Sequence, residues 1–185
     1  MQRKLDAAEA LLADQDAYIR QLERQAATDI LTGLMNRRGI EKFFTVEQQR
    51  ILRGQSPGAL FVLIDFDRFK AINDTYGHPA GDACLQAAAE KLQDGVRILD
   101  GAGRLGGDEF VLILTQIGPA GVDIMLQKIG RLLQGLSADW QGRTIDFAAS
   151  FGAVPVTAQS TYADVYRQAD AALYAHKQRL AAGHI

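Results

Sequence analysis

Arg104-Leu105-Gly106-Gly107-Asp108-Glu109-Phe110, running on into Val111-Leu112-Ile113-Leu114, is the stretch around which the chain is organised. Two adjacent glycines between short extended segments predict a tight hairpin turn, because glycine takes a positive φ without steric penalty. The apolar run behind them predicts a buried strand, with the carboxylates of Asp108 and Glu109 at its start. A rigid turn that presents acids beside bare backbone suits a metal-bound polyphosphate. Taken alone, the stretch reads more readily as a solvated acidic hairpin. A second acidic strand end upstream shifts that balance.

Ala59 to Ile64 (Ala-Leu-Phe-Val-Leu-Ile) is apolar on both faces, as in a covered central strand, and it ends in Asp65-Phe66-Asp67. If the two strands are neighbours, Asp65, Asp108 and Glu109 converge on one edge of a sheet. Like charges that close call for a divalent cation. Hard oxygen ligands, with no cysteine cluster and no histidine pair at ligand spacing, point to Mg²⁺ or Mn²⁺ rather than zinc. Metal-bridged carboxylates at a sheet edge are suited to in-line attack of a 3′-hydroxyl on an α-phosphate. A short helix should follow with Lys70 and Asn73 one turn apart. Tyr76-Gly77-His78-Pro79 stops it and starts another, running to about Leu92 with Asp82 in its opening turn. Lys70 and Lys177 are candidates to offset triphosphate charge, and Asn73 and Asp82 to read a base edge. An acid there favours a donor-bearing base such as guanine. Each of these polar residues alone reads as a solvated or capping group, Asp82 as a helix N-terminal acid. The conjunction carries the argument.

Further out, residues 37–53 read as a helix with Ile40, Phe43, Phe44 and Ile51 on its apolar face, followed by a loop at 54–58. Gly95 to Gly103 is a strand or loop. Residues 119–136 read as a helix, and the alternation of Ile145, Phe147, Ala149 and Phe151 makes 144–154 one strand. Thr161-x-x-Asp164 is a capping-box pattern that opens a last helix through about Leu180. Ahead of all this, residues 1–27 lack Gly and Pro, and Leu5, Leu12, Ile19 and Ala26 fall seven apart. So polar a helix buries its seam best against a second copy, which predicts a parallel coiled coil. The organisation expected is a helical stalk at 1–27 and one α/β (α+β) domain at 28–185.

Composition agrees. The chain has 185 residues, 48% hydrophobic and 23% charged, with a formal net charge of −2. That supplies no basic footprint for duplex nucleic acid, so none is expected as a partner. Cys84 is the sole cysteine, which excludes a disulfide framework. No apolar run approaches the roughly 18–20 residues that cross a bilayer. The expectation is a cytoplasmic setting without membrane contact from this segment.

These motifs together resemble the GGDEF domain, the diguanylate cyclase family of bacterial second-messenger enzymes, over about residues 28–180. Asp29-x-Leu31-Thr32-Gly33-Leu34-x-Asn36-Arg37-Arg38 resembles the family's entry segment. Asp65-Phe66-Asp67-Arg68-Phe69-Lys70-x-x-Asn73-Asp74-x-x-Gly77-His78-x-x-Gly81-Asp82 resembles its metal- and base-binding segment. Gly106-Gly107-Asp108-Glu109-Phe110 is the signature itself, and Ser150-Phe151-Gly152 and Ala169-Asp170-x-Ala172-Leu173-Tyr174 resemble the late strand and last helix.

The resemblance implies a nucleotidyl-cyclase, polymerase-palm-like sheet flanked by helices. It implies two Mg²⁺ ions per half-site held by Asp65, the Phe66 carbonyl, Asp108 and Glu109. Asn73 and Asp82 would hold guanine, Lys70 and Lys177 would contact phosphates, and Gly106 and Gly107 would let the nucleotide pass close. Two domains, each with one GTP, would face one another as a homodimer and make cyclic di-GMP with release of pyrophosphate. Asp108 or Glu109 would take the 3′-hydroxyl proton. Arg97-Ile98-Leu99-Asp100 matches the family's R-x-x-D motif, which implies a product-binding site for feedback inhibition through Arg97 and Asp100. One departure stands out: Ala181 occupies the place of the family's usual arginine near the triphosphate, with Lys177 kept and Arg179 one turn away. His176 is expected to pack rather than ligate. Two alternatives remain: a catalytically silent cyclic di-GMP receptor, which the intact acids disfavour, and a cyclase for adenine-containing dinucleotides, which Asp82 disfavours.

Overall fold

The computed structural model describes residues 27–182. The expected stalk therefore lies outside the described residues, except for Ala27. In chain order the elements are α1 (Arg37–Leu52), β1 (Ala59–Phe66), α2 (Phe69–Tyr76), α3 (His78–Gly95), β2 (Gly101–Gly106) and β3 (Glu109–Thr115). A 3₁₀ turn at Pro119–Gly121 leads into α4 (Val122–Leu132), then β4 (Leu136–Trp140), β5 (Arg143–Phe147), β6 (Ala149–Val156) and α5 (Tyr162–Ala182).

β1 is central because its side chains are apolar in both directions; every residue in it is buried except the half-buried Asp65. It pairs antiparallel with β3 on one side and with β6 on the other, and β2 closes the sheet beyond β3, in the order β2-β3-β1-β6. Alternate β1 residues serve different faces. Leu60, Val62, Ile64 and Phe66 meet Leu85, Ala88 and Leu92 of α3 and Ile129 of α4, whereas Phe61 and Leu63 meet Ile40 and Phe44 of α1 and Val165, Ala169 and Leu173 of α5. Each such side chain, fully buried, stabilises the fold by roughly 1.5–3 kcal/mol. α5 lies unusually close to β6 because Gly152 has no side chain. A Cβ there would stand 2.1 Å from the Ala169 carbonyl oxygen.

Local signals held where they were chemical. Asn36 caps α1 by accepting from the Gly39 amide at 3.1 Å, and Thr161 accepts from the Asp164 amide at 3.2 Å at the start of α5. Gly77 both ends α2 and precedes α3, with Pro79 in the first turn. Three expectations are corrected. Residues 144–154 form two strands in different sheets, since β5 pairs only with β4 and the chain leaves that hairpin at Ala148 to enter the main sheet. The helix at 119–136 is a 3₁₀ turn plus α4, and Leu136 opens β4, after Gly135 turns the chain at φ +59°. α3 starts at His78, so Asp82 is its fifth residue and lies just past the first turn.

Candidate active site

Geometry at the hairpin begins with its two glycines, at φ +146° (Gly106) and +52° (Gly107), where any side chain would be strained. The β2–β3 register slips between Arg104 and Gly106, a bulge that turns the tip. Arg104 secures it from below. Its Nε donates to the Gly107 carbonyl at 2.9 Å and its Nη1 reaches both Asp29 oxygens at 3.2 and 3.3 Å. Asp29 also accepts from the Thr32 amide (3.0 Å) and hydroxyl (2.6 Å). Burial pushes the Asp29 carboxyl up, but the Thr32 bonds and the Arg104 guanidinium outweigh it and hold the carboxyl below its usual range. The entry segment is thus tied directly to the acidic turn.

The acids lie where adjacent strands end. Asp65 on β1 is directly opposite Glu109 on β3, so the two share one face of the sheet. Asp108 sits at the tip beside them. Burial, and next the charge of Asp65, push the Asp108 carboxyl above its usual range, with Lys177 and Arg104 partly offsetting them. On the helix-covered side, Lys177 of α5 donates to Asp65 Oδ1. The Tyr166 hydroxyl donates to Glu109 Oε1 at 3.2 Å, and Arg37 Nη2 lies 4.0 Å from Glu109 Oε2. Asp67, by contrast, is turned aside to accept from the Ser150 hydroxyl at 2.9 Å.

Convergence of Asp65, Asp108 and Glu109 is therefore seen at the level of register and field. Among the described residues no three acids form a closed metal cluster, because Asp65 is drawn to Lys177 and Glu109 to Tyr166 and Arg37. The donor set nonetheless fits a hard divalent cation: carboxylate oxygens, the Phe66 backbone at the end of β1, and the half-buried Asp108 carboxyl, whose repulsion by Asp65 a cation would relieve.

Beside this edge stand α2 and α3. The Asn73 side chain lies against Gly81, where a Cβ would be 2.0 Å from Asn73 Oδ1, so the missing side chain makes room for the amide. Asp82 and Lys70 are exposed on the same helical pair. Lys177, expected at phosphates, pairs with Asp65 in the free chain.

Arg97 and Asp100 lie at the far end of β2 from the glycines, a strand length of roughly 20 Å away. Asp100 accepts from the Thr115 amide at 2.8 Å and the Arg97 amide at 2.9 Å, which folds the loop into a turn and leaves Arg97 exposed. His176 packs edge-on against Phe151 (5.3 Å), as expected, and its Nδ1 also accepts from the Phe151 amide at 3.1 Å.

Sequence reading missed the roles of four residues: Arg104, Asp29, Arg37 and Tyr166. Asp29-x-x-Thr32 carried a local signal, being a side-chain-capped turn. The carboxylate partners of the others lie far along the chain and left none.

Comparison with known proteins gives a consistent result. The family described as diguanylate cyclase, GGDEF domain, matches residues 26–181. The probable diguanylate cyclase DgcE of Escherichia coli K12 is 38% identical over 160 residues, covering 86% of this chain and 14% of that protein. A sensory box/GGDEF family protein from Caulobacter crescentus CB15 has a TM-score of 0.76 at 31% identity, covering 83% of this chain and 99% of that one. The GGDEF domain of DgcB from Caulobacter crescentus, solved in complex with c-di-GMP, has a TM-score of 0.73 at 28% identity, over 83% and 88%. The chain spans under a third of the length of the first curated relatives it matches.

Proposed function

The chain belongs to the GGDEF-domain, diguanylate cyclase family, and on that footing we propose that it condenses two GTP molecules into cyclic di-GMP with release of pyrophosphate. The observation that carries this reading is the register of Asp65 against Glu109, with Asp108 at the tip and the Asn73–Asp82 helical pair beside them. Asp65, Asp108, Glu109 and the Phe66 carbonyl would hold a divalent metal, Mg²⁺ or Mn²⁺. Such a metal would supply positive charge against the polyphosphate and Lewis acidity at the α-phosphate.

The remaining work falls to the chain's own groups. The bare backbone of Gly106 and Gly107 admits the triphosphate. Asn73 and Asp82 hold the guanine edge, Asp82 accepting from its N1–H and N2–H₂. Lys177, the partner of Asp65 in the free chain, contacts phosphate oxygens, and Lys70 adds charge from α2. In each half-site the 3′-oxygen of one GTP bonds to the α-phosphorus of the other, the bond from that phosphorus to the bridging oxygen of the β-phosphate breaks with loss of one pyrophosphate, and the 3′-hydroxyl proton passes to a carboxylate of the turn; the two exchanges close the ring and release two pyrophosphates. One half-site holds one nucleotide, so two copies of the domain face each other, brought together by residues 1–27. Arg97 and Asp100 bind the product and restrain turnover.

The test is chromatography of products after incubating the chain with GTP and Mg²⁺, with ATP in parallel. Cyclic di-GMP from GTP alone upholds the reading. No product at high protein concentration, with tight binding of labelled cyclic di-GMP, would replace it with the receptor reading.

A further inference from the structure

Glu109 is gripped more elaborately than a surface carboxylate requires. Its Oε1 accepts from the Tyr166 hydroxyl and its Oε2 faces Arg37. The Arg37 guanidinium also stands over the Tyr166 ring, 5.9 Å from its centroid. Behind Tyr166 runs a row of aromatic rings. Tyr166 stacks on Tyr162 with centroids 6.3 Å apart, and Tyr162 meets Phe44 and Phe61 edge-on at 5.6 and 5.9 Å. Phe44 and Phe61 are buried core residues of α1 and β1. The row is therefore a rigid prop that runs from the core to one oxygen of one acid.

α5 holds the opposing acid by the same stripe. Tyr166 and Lys177 are eleven residues apart, about three helical turns, with Ala169 and Leu173 between them packed on the sheet. The register sets Asp65 across from Glu109. One helix face thus holds two facing carboxylates by different means, an ammonium on Asp65 and a phenolic hydroxyl on Glu109. A glutamate at a strand start otherwise rotates freely, and a loosely held ligand or base loses much of its effect.

We propose that Tyr166, backed by Tyr162 and supported by Arg37, is a positioning residue that fixes the rotamer of Glu109 for the reaction. This rests on the cyclase reading. It assigns Tyr166 no contact with nucleotide; the residue acts through Glu109 alone.

Tyr166→Phe keeps the ring and its stacking and removes only the hydroxyl. The expected result is a fall in kcat of about tenfold, with KM for GTP within about twofold and an unchanged melting temperature, the pattern of a lost transition-state interaction. A second, activity-free readout is the crystal structure of Tyr166→Phe beside that of the native chain: Glu109 should hold one side-chain rotamer in the native chain and leave it in the variant. An unchanged kcat in Tyr166→Phe overturns the proposal. So does a kcat loss matched by a loss of melting temperature, or a Glu109 that keeps its rotamer in Tyr166→Phe. A native chain that makes no product refutes the cyclase reading instead, and the Glu109 rotamer still judges the hold on that carboxylate.

Discussion

Gly81→Ala separates recognition from stability. Gly81 is inside α3, and a Cβ built there falls 2.0 Å from Asn73 Oδ1, 3.0 Å from its Cγ and 3.1 Å from Phe69 Cζ. Ordinary contact needs about 3.4 Å or more, so the Asn73 amide must move by over about 1 Å, enough to take a good hydrogen bond out of range. The clash is with the far end of a flexible side chain, which can rotate away. In exchange alanine is better than glycine in a helix interior by about 1 kcal/mol. Net stability should therefore change by less than about 1 kcal/mol. Loss of one or two amide bonds to guanine should weaken binding by about 1–2 kcal/mol, or roughly tenfold in KM for GTP. The assay is steady-state product formation over a GTP titration, with thermal melts of the same preparations. Asn73→Ala should give a similar KM, and the double variant no further rise, because both remove the same contact. A KM for Gly81→Ala within twofold of native, at native melting temperature, would refute the reasoning that Gly81 seats a base-reading amide.

Gly152→Ala meets backbone instead: its Cβ would stand 2.1 Å from the Ala169 oxygen and 2.4 Å from the Leu173 nitrogen, neither of which can rotate away. A loss of roughly 3 kcal/mol in denaturant unfolding is expected, by separation of α5 from β6. Asp108→Asn should abolish turnover and yet raise the melting temperature in metal-free buffer at neutral pH. Its folded carboxyl is raised, so the native state binds a proton more tightly than the unfolded chain, and stability falls as pH rises from the usual carboxylate range through the raised value. The gain in the variant should shrink as pH is lowered through that window; melts at pH 7 and pH 4 check it. Arg97→Ala should leave initial rates within about twofold and raise the product concentration for half-inhibition by at least about tenfold, as read from progress curves with added cyclic di-GMP, since a charged fork on phosphate is worth roughly 1.5–3 kcal/mol. Unaltered inhibition would return Arg97 to an ordinary surface role.

Much of the fold was legible because its signals are local. An apolar run without polar interruption makes β1 central, Thr161 caps a helix through a bond to its own next turn, and Gly77-His78-Pro79 breaks one helix and starts the next. The reading failed where local pattern is ambiguous. Alternation runs unbroken from Ile145 to Phe151, yet the chain crosses from one sheet to another at Ala148, a choice made by strand partners rather than by residue type. Leu136 looked helical because it continues an apolar series, but Gly135 turns the chain before it.

The candidate site divides along the same line. Which residues are candidates for chemistry, namely acids at adjoining strand ends, glycines at a tip, and an amide and an acid on a helical pair, is legible in the sequence alone, because side-chain chemistry and turn geometry act over a few residues. What each of them touches was decided by tertiary structure. Lys177 meets Asp65 across 112 residues, Arg104 meets Asp29 across 75, and Tyr166 meets Glu109 across 57. Those pairings depend on the register of β1 against β3 and on the crossing of α5 over the sheet. Both are set by the burial of whole apolar faces, in which no single polar residue has a part.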